Sequence, residues 1–138
     1  MGKIITSIAT ISLILISSGY ANDITKLNVR EVCNVEKNGI DKVLNLAVKY
    51  NPIAVKKGLE FKRLGMTNTQ YIAAIKDALK TNKKTITLLD KKGKKTKNKL
   101  SIENATSRAC KFAISALTQD IEAQSSWKLA VPGTGYKY

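Results

Sequence analysis

The chain has 138 residues, of which 24 are lysine or arginine and 10 are aspartate or glutamate; it has no histidine, and its formal net charge is +14. Without histidine, the chain lacks the usual general base, the thiolate–imidazole nucleophile and most transition-metal sites. Its length suits one domain with a modest core, and its charge favours acidic partners. We therefore expect a non-enzymatic protein without catalytic residues, metal or cofactor.

Residues 1–21 have the features of a signal peptide. Lys3 gives a positive start, an apolar run follows, and small residues lead to Ala21. The apolar run is about 13 residues long, shorter than the roughly 20 that span a bilayer. We predict export with cleavage after Ala21, to the periplasm or the exterior. The mature part, residues 22–138, is predicted to be a single helical domain without a transmembrane span.

Two cysteines, Cys33 and Cys110, lie in the part of the chain that is predicted to be exported. An even number of cysteines in an oxidising compartment predicts a disulfide. Their spacing excludes a CxxC redox pair. We therefore predict a structural bond that joins the first helix of the domain to the last.

The first two helices are predicted from capping residues and apolar periodicity. Asn28 and Glu31 form a capping-box pattern ahead of a helix over residues 29–37. Apolar side chains then recur at i, i+3, i+4 and i+7, which predicts a second helix over residues 40–50. Pro52 lacks the N–H that a helix interior needs, so the second helix is predicted to stop there.

Two further helices are predicted before the basic segment. Pro52 favours the first turn of a third helix over residues 52–64, with Gly65 as its C-cap. Asn68 is predicted to cap a fourth helix over residues 69–80. Within the third helix, Glu60 lies between two apolar residues and is the one acid whose burial is a question for the structure.

The apolar period changes after residue 82. The β-branched sequence TITLL, the glycine in KKGK and the returning KTKNKLS predict an antiparallel hairpin over residues 85–100, with a basic loop as the alternative. A long last helix, capped by Ser101, is followed by an extended tail from about residue 126, in which Trp127 packs back on the helices. The predicted fold class is all-α, a compact bundle of five helices with a small basic hairpin and one disulfide.

Charge is the remaining functional signal. Eight lysines between residues 83 and 99 are the predicted partner-binding or anion-binding residues: Lys83, Lys84, Lys91, Lys92, Lys94, Lys95, Lys97 and Lys99. A second cluster is predicted on the third helix: Lys56, Lys57, Lys62 and Arg63. Lysine lacks the bidentate fork of arginine, and no aromatic residue interleaves with the eight lysines as a stacking platform for single strands requires.

These features favour an exported binding protein that captures, and inhibits or neutralises, an acidic protein of the envelope or the exterior. In outline, the chain resembles small exported helical proteins with one disulfide, among them periplasmic immunity proteins, lysozyme-type inhibitors and acid-stress chaperones. A first alternative is a basic module for nucleic acid, lipopolysaccharide or an anionic membrane surface. A second is a periplasmic stress chaperone, which the lack of histidine disfavours because few groups titrate at mildly acid pH. The remaining alternative is a loop that only keeps the protein in solution.

The basic segment also carries a structural expectation. Burying an unpaired ammonium group costs several kcal/mol, and Asp90 alone cannot compensate the six lysines near it. We therefore expect residues 91–99 to be exposed, with Leu88 and Leu100 as the nearest residues that face the core. Repulsion between the lysines predicts a mobile segment that becomes protected when a partner binds.

Overall fold

A computed structural model describes residues 19–63 and 65–130. Within these ranges the chain forms six helices and two small antiparallel sheets of two strands each. In chain order the elements are α1 (Gly19–Thr25), α2 (Val29–Val32), α3 (Val35–Asn38), α4 (Ile40–Lys56), β1 (Lys62–Arg63), β2 (Met66–Thr67), α5 (Asn68–Lys80), β3 (Thr85–Leu89), β4 (Lys95–Ser101) and α6 (Ile102–Ala130). The prediction of a mostly helical fold is confirmed.

The last helix, α6, is the centre of the fold and packs against the five other described helices. Ala105, Ala109 and Ala113 are buried along it, together with Ile114 and Leu117. The small alanine side chains let the neighbouring helices approach closely, and the larger residues fill the space between them. The core therefore lies around the N-terminal two-thirds of α6.

Cys33 and Cys110 form the predicted disulfide, with their Cα atoms 5.6 Å apart and both residues fully buried. Cys33 is the C-cap of α2, and Cys110 lies on a buried face of α6. A helix as short as α2, with four residues, has little stability of its own. The bond between residues 77 positions apart therefore fixes this part of the chain to the central helix.

The helix predicted over residues 29–37 is divided into α2 and α3. Asn28 caps α2 as predicted, accepting a hydrogen bond from the Glu31 N–H. Asn34 then caps α3, because its side chain accepts a hydrogen bond from the Lys37 N–H over 3.2 Å. A second N-cap residue therefore lies inside the predicted helix, and a new helix begins after it.

The second and third predicted helices are, in part, one helix. α4 continues through Pro52, where the sequence predicts a break between residues 40–50 and 52–64. Ala47, Asn51 and Ala54 are buried on the same side of the helix. Packing against α6 therefore continues across the proline and outweighs the hydrogen bond that the proline removes.

α4 ends at Lys56, eight residues before the end predicted from the sequence. Gly58 adopts a left-handed conformation with φ of 72°. The Gly58 N–H donates to the Val55 carbonyl over 3.0 Å and the Leu59 N–H donates to the Ala54 carbonyl over 2.8 Å, which are the two bonds of a Schellman motif. Gly58 therefore ends the helix, and the assignment of Gly65 as the C-cap is wrong.

α5 agrees closely with the prediction over residues 69–80. Its N-cap is Thr67 and not Asn68: the Thr67 side chain and that of Gln70 form a reciprocal capping box. Asn68 is instead fully buried in the first turn. At the other end Asn82, with φ of 51°, reverses the chain toward β3.

α6 is longer than predicted and runs to Ala130, past residue 126, where the sequence predicts an extended tail. Trp127 lies on this helix with 72% of its surface exposed, so the prediction that it packs back on the helices is wrong. No proline or glycine interrupts residues 119–130, so the helix extends beyond its last packing partners. The rest of the predicted tail lies outside the described residues.

The predicted signal peptide lies mostly outside the described residues. α1 covers the predicted cleavage point after Ala21, and Ile24, three residues further on, is buried in the core. Across residues 19–63 and 65–130, no helix has both the length and the apolar character that crossing a membrane requires.

Candidate functional site

The basic hairpin, which we define as residues 83–101, is built on β3 and β4. The paired residues are Thr85 with Ser101, Ile86 with Leu100, Thr87 with Lys99 and Leu89 with Lys95. The hairpin predicted over residues 85–100 is thus confirmed. Ile86 is buried, and Leu88 and Leu100 are partly buried against the core, because alternate side chains of a strand face the same side.

The eight lysines that the sequence predicts as binding residues are all exposed. Of these eight lysines, only Lys83 has an ion-pair partner among the described residues: its Nζ lies 3.8 Å from Asp77 Oδ2, and both side chains are largely in solvent. The other seven lysines, Lys84, Lys91, Lys92, Lys94, Lys95, Lys97 and Lys99, make no ion pair with the described acids. Their charge is therefore directed into the solvent, where it attracts acidic groups.

The tip of the basic hairpin is a hydrogen-bonded turn. Asp90 Oδ1 accepts hydrogen bonds from the N–H groups of Lys92 over 2.8 Å and Lys94 over 2.9 Å. The Asp90 N–H donates to the Lys94 carbonyl, and Gly93, with φ of 76°, donates to the Asp90 carbonyl. The single acid of the tip is thus occupied with backbone N–H groups, and it organises the turn instead of pairing with a lysine side chain.

A second basic segment meets the tip of the hairpin. The β1–β2 turn, described at residues 62–63 and 65–67, lies against Asp90, since a Cβ atom at Gly65 would collide with the Asp90 carbonyl and lie 3.2 Å from the Asp90 Cα atom. Lys62 and Arg63 are exposed on this turn. We call the basic hairpin together with the β1–β2 turn the basic end. It combines two stretches of positive charge that are separate in the sequence.

The second basic cluster predicted from the sequence is divided by the structure. Lys56 and Lys57 lie at the end of α4, whereas Lys62 and Arg63 lie on β1 and not on a helix. Lys57 Nζ forms an ion pair with Asp120 Oδ2 over 2.8 Å, with side-chain exposures of 33% and 21%. The hydrogen bond to Asp120 is the main reason that the pKa of Lys57 is raised and that of Asp120 is lowered. Lys57 therefore contributes to the helical body and not to the unpaired charge.

Glu60 holds the chain at the point where it leaves α4 for the basic end. Its Oε1 accepts hydrogen bonds from the Thr69 N–H over 2.6 Å, from the Thr69 hydroxyl and from the Asn51 side chain over 3.4 Å. Burial alone would raise the pKa of the Glu60 carboxyl, but these hydrogen bonds outweigh it and leave the pKa below its usual value. The burial of Glu60 is partial, and the carboxylate acts at the N-terminus of α5, where negative charge is favourable.

Behind Glu60 a chain of buried amides connects α4, α5 and α6. The Asn68 side-chain amide donates to Asn51 Oδ1 over 2.9 Å and to the Ala109 carbonyl over 2.9 Å. Asn51 and Asn68 are both buried, and these bonds replace part of the water that the amides lose, while the buried Asn68 Oδ1 accepts no hydrogen bond from the described residues. The sequence places Asn51 directly before Pro52, at the predicted end of the second helix, and assigns Asn68 a capping role. Neither assignment shows that the two residues meet.

The described residues form surface grooves, of which three are relevant to the site. One, of about 330 Å³, lies between α5 and β3, with Met66, Ala74 and Leu89 among its apolar residues and Lys83 and Lys95 among its polar ones. A second, of about 410 Å³, lies between α4 and α5. A third, of about 310 Å³, lies on α6 beside Phe61, whose ring stacks on that of Phe112 with centroids 4.1 Å apart. Only the first groove includes residues of the basic hairpin.

Neither a metal centre nor a known relative identifies the site. Among the described residues, no group of three or more cysteine, aspartate or glutamate side chains is arranged to hold a metal ion. Comparison with protein-family models, with curated proteins and with solved structures returns no match. The functional assignment therefore depends on the geometry of the basic end.

Proposed function

We propose that this protein is an exported, non-enzymatic binding protein whose basic end captures an acidic macromolecular partner in the envelope or the exterior and thereby inhibits or neutralises it. One observation carries the proposal: two basic stretches that are distant in the sequence converge at Asp90, with the β1–β2 turn against the hairpin tip. Unpaired charge of one sign on one surface speeds the capture of an oppositely charged partner.

An acidic protein fits this surface better than a polyanion does. The groove between α5 and β3 supplies apolar and polar lining directly beside the lysines, as the core of a protein interface requires. Strands of nucleic acid would instead favour aromatic residues for stacking, and residues 83–101 contain none. Lysine also lacks the fork with which arginine recognises phosphate in a bidentate manner.

The first experiment compares two variants with equal loss of charge. In one, Lys91, Lys92, Lys94 and Lys95 are replaced by glutamine; in the matched control, the exposed lysines 26, 37, 42 and 111, which lie outside the basic end, are replaced by glutamine. Each purified protein is immobilised and exposed to the nuclease-treated envelope fraction of the source cells at low and high salt. The hairpin variant should capture about tenfold less of one acidic protein at low salt, whereas the control should resemble the unchanged chain.

The outcome also separates the alternatives. Equal losses in both variants would mean that only net charge matters, which contradicts a site at the basic end. Capture that is seen only from a fraction not treated with nuclease, or that consists of lipopolysaccharide, would instead favour the polyanion-binding module. Amide hydrogen exchange over residues 90–99 gives a second test, because a partner that covers the tip should slow exchange there. Unchanged exchange with the captured protein bound would leave the segment as a solubilising hairpin.

A further inference from the structure

We propose that the free edge of β3 receives an extended acidic segment of the partner as a third, antiparallel strand, seated in the groove between β3 and α5. This inference rests on the proposed function, because it states how the acidic partner is held. It is carried by the register of the hairpin, by the chemistry of the two strand edges and by the position of the lysines around the groove.

The register of the hairpin shows which backbone groups of β3 are unpaired with β4. The Ile102 N–H donates to the Lys84 carbonyl over 3.1 Å, and at the other end the Asp90 N–H donates to the Lys94 carbonyl over 2.8 Å. In an antiparallel pair, hydrogen-bonded positions alternate with positions whose backbone groups point away from the partner strand. Thr85, Thr87 and Leu89 occupy the alternate positions of β3. Their N–H and C=O groups therefore face the outer edge.

The two edges of the sheet differ in side-chain chemistry. β4 carries three exposed lysines, Lys95, Lys97 and Lys99, and charged lysines on an edge strand discourage pairing with another chain. β3, with the sequence TITLL, carries no charge, and Thr87 and Leu89 are only partly exposed. Of the two edges, β3 is therefore the one that remains open to strand addition.

The groove beside this edge has the form that an added strand needs. It runs between β3 and the exposed flank of α5, where Ala73 and Ala74 leave room for a second backbone. Lys95 is opposite Leu89 and Lys99 is opposite Thr87, so both lysines lie on the face of the sheet that carries Thr87 and Leu89. An antiparallel strand added to β3 would direct every second side chain to this lysine face and the others toward α5.

This arrangement specifies the sequence pattern of the bound segment. Acidic residues should occupy the positions that face Lys95 and Lys99, and small apolar residues should occupy the positions that face α5. In antiparallel pairing with Thr87, the residues on the lysine face are also the ones whose N–H groups point toward β3. The acidic residues should therefore supply the backbone hydrogen bonds, while the N–H groups of the apolar residues point away.

The test uses a blocked synthetic octapeptide of alternating aspartate and valine. It is compared with two N-methylated forms that are isomers of each other, one methylated at every aspartate and the other at every valine. Binding to the purified chain is followed by NMR shifts of the Thr85, Thr87 and Leu89 amides. Methylation at aspartate should weaken binding about tenfold or more, because it removes the hydrogen bonds to β3, and methylation at valine should change it by less than about threefold. Loss confined to the valine isomer, equal loss in both isomers, or no binding of the parent peptide would overturn the proposal.

A variant of the protein tests the same edge from the other side. Thr87→Pro removes an outward N–H and leaves the hydrogen bonds between β3 and β4 in place, and Thr87→Val is the matched control that keeps the N–H. The proline variant should lose peptide binding with an unchanged melting temperature, and the valine variant should keep it; retained binding in a folded proline variant contradicts strand addition. A combined result separates the two proposals. If the four-glutamine hairpin variant no longer captures the acidic envelope protein, but N-methylation of the peptide does not change binding, strand addition is wrong and the proposed function stands.

Discussion

The helical body, α1 to α6, and the basic hairpin are built on opposite principles. In the body, apolar residues from the helices are buried around α6, and a disulfide joins its first turns to its centre. In the hairpin only Ile86 is fully buried, and seven of its eight lysines make no ion pair with the described acids. Stability therefore resides mainly in the body, and the hairpin can carry unfavourable charge because the body supports it.

Because the two regions differ in this way, we expect that binding and folding can be altered separately in this protein. The hairpin is attached through Ile86, through the partly buried Leu88 and Leu100, and through the bond between Ile102 and Lys84. Changes at the exposed lysines leave these contacts intact, while changes in the body leave the lysines in solvent. The four predictions below test this separation, beginning with the largest expected effect.

Removal of the disulfide should produce the largest loss, and the loss should fall on the body. For a loop of 77 residues, the chain-entropy argument gives a contribution of about 4–5 kcal/mol to the free energy of unfolding, which is an upper figure. The double variant Cys33→Ala/Cys110→Ala is compared with the unchanged chain by urea unfolding. A midpoint that does not move would mean that the packing of α2 on α6 needs no covalent bond.

Truncation of a core residue should be costly, and truncation of a hairpin lysine should not. Ile75 of α5 is fully buried, and Ile75→Ala should lower the free energy of unfolding by about 3 kcal/mol through lost burial and a cavity. Lys94→Ala, at the exposed tip, should change it by no more than about 0.5 kcal/mol. Thermal and urea unfolding of both variants measure the contrast. A loss at Lys94 that approaches the loss at Ile75 would contradict the separation.

Glu60→Gln tests the junction between the two regions. The variant keeps the shape of the side chain but removes the negative charge that accepts bonds from Thr69 at the start of α5, and it should cost about 1 kcal/mol at neutral pH. Because the pKa of Glu60 is lower in the folded chain than its usual 4.5, its stabilisation is present above that value and is lost as the pH falls through the folded pKa. The difference in melting temperature between the two proteins should therefore disappear in acid. A difference that persists at a pH low enough to protonate the Glu60 carboxyl in the folded chain would mean that the amide disrupts packing instead.

The pair between Lys57 and Asp120 should give the smallest effect. Lys57→Met, Asp120→Asn and the double variant form a double-mutant cycle, and the coupling should be about 0.5–1 kcal/mol because both side chains are partly exposed. The pKa of Asp120 is lowered by its hydrogen bond to Lys57, so the coupling is present above the usual pKa of 3.8 and is lost as the pH falls through the lower pKa of the folded chain. A coupling energy of zero at neutral pH would mean that Lys57 contributes to the unpaired positive charge of the surface.

Much of the fold follows from local patterns in the sequence. The 3.6-residue periodicity identified α5 and most of α4, and the β-branched alternation after residue 82 identified the basic hairpin. The two cysteines gave the disulfide because the chain offers only one pairing. The exposure of the eight lysines followed from the cost of burying an unpaired ammonium group.

Errors arose where a local signal competed with a distant contact. The proline at residue 52 predicts a helix break, but burial of Ala47, Asn51 and Ala54 keeps the helix continuous. The end of α4 at Gly58, by contrast, has a local signal: a glycine followed by an apolar residue fits the Schellman motif. Trp127 is predicted to pack back on the helices, yet 72% of its surface is exposed.

Local patterns in the sequence indicate which residues form the candidate site, whereas its geometry depends on tertiary packing. Periodicity, capping and turn residues act within one or two turns of chain, so they identify the hairpin and its lysines. Three features depend on how separated segments pack. They are the contact of the β1–β2 turn with Asp90, the choice of the lysine that pairs with Asp120, and the strand edge that borders α5. Those contacts form only because α4, α5 and α6 bury their apolar faces together, and that packing joins segments that are far apart in the sequence.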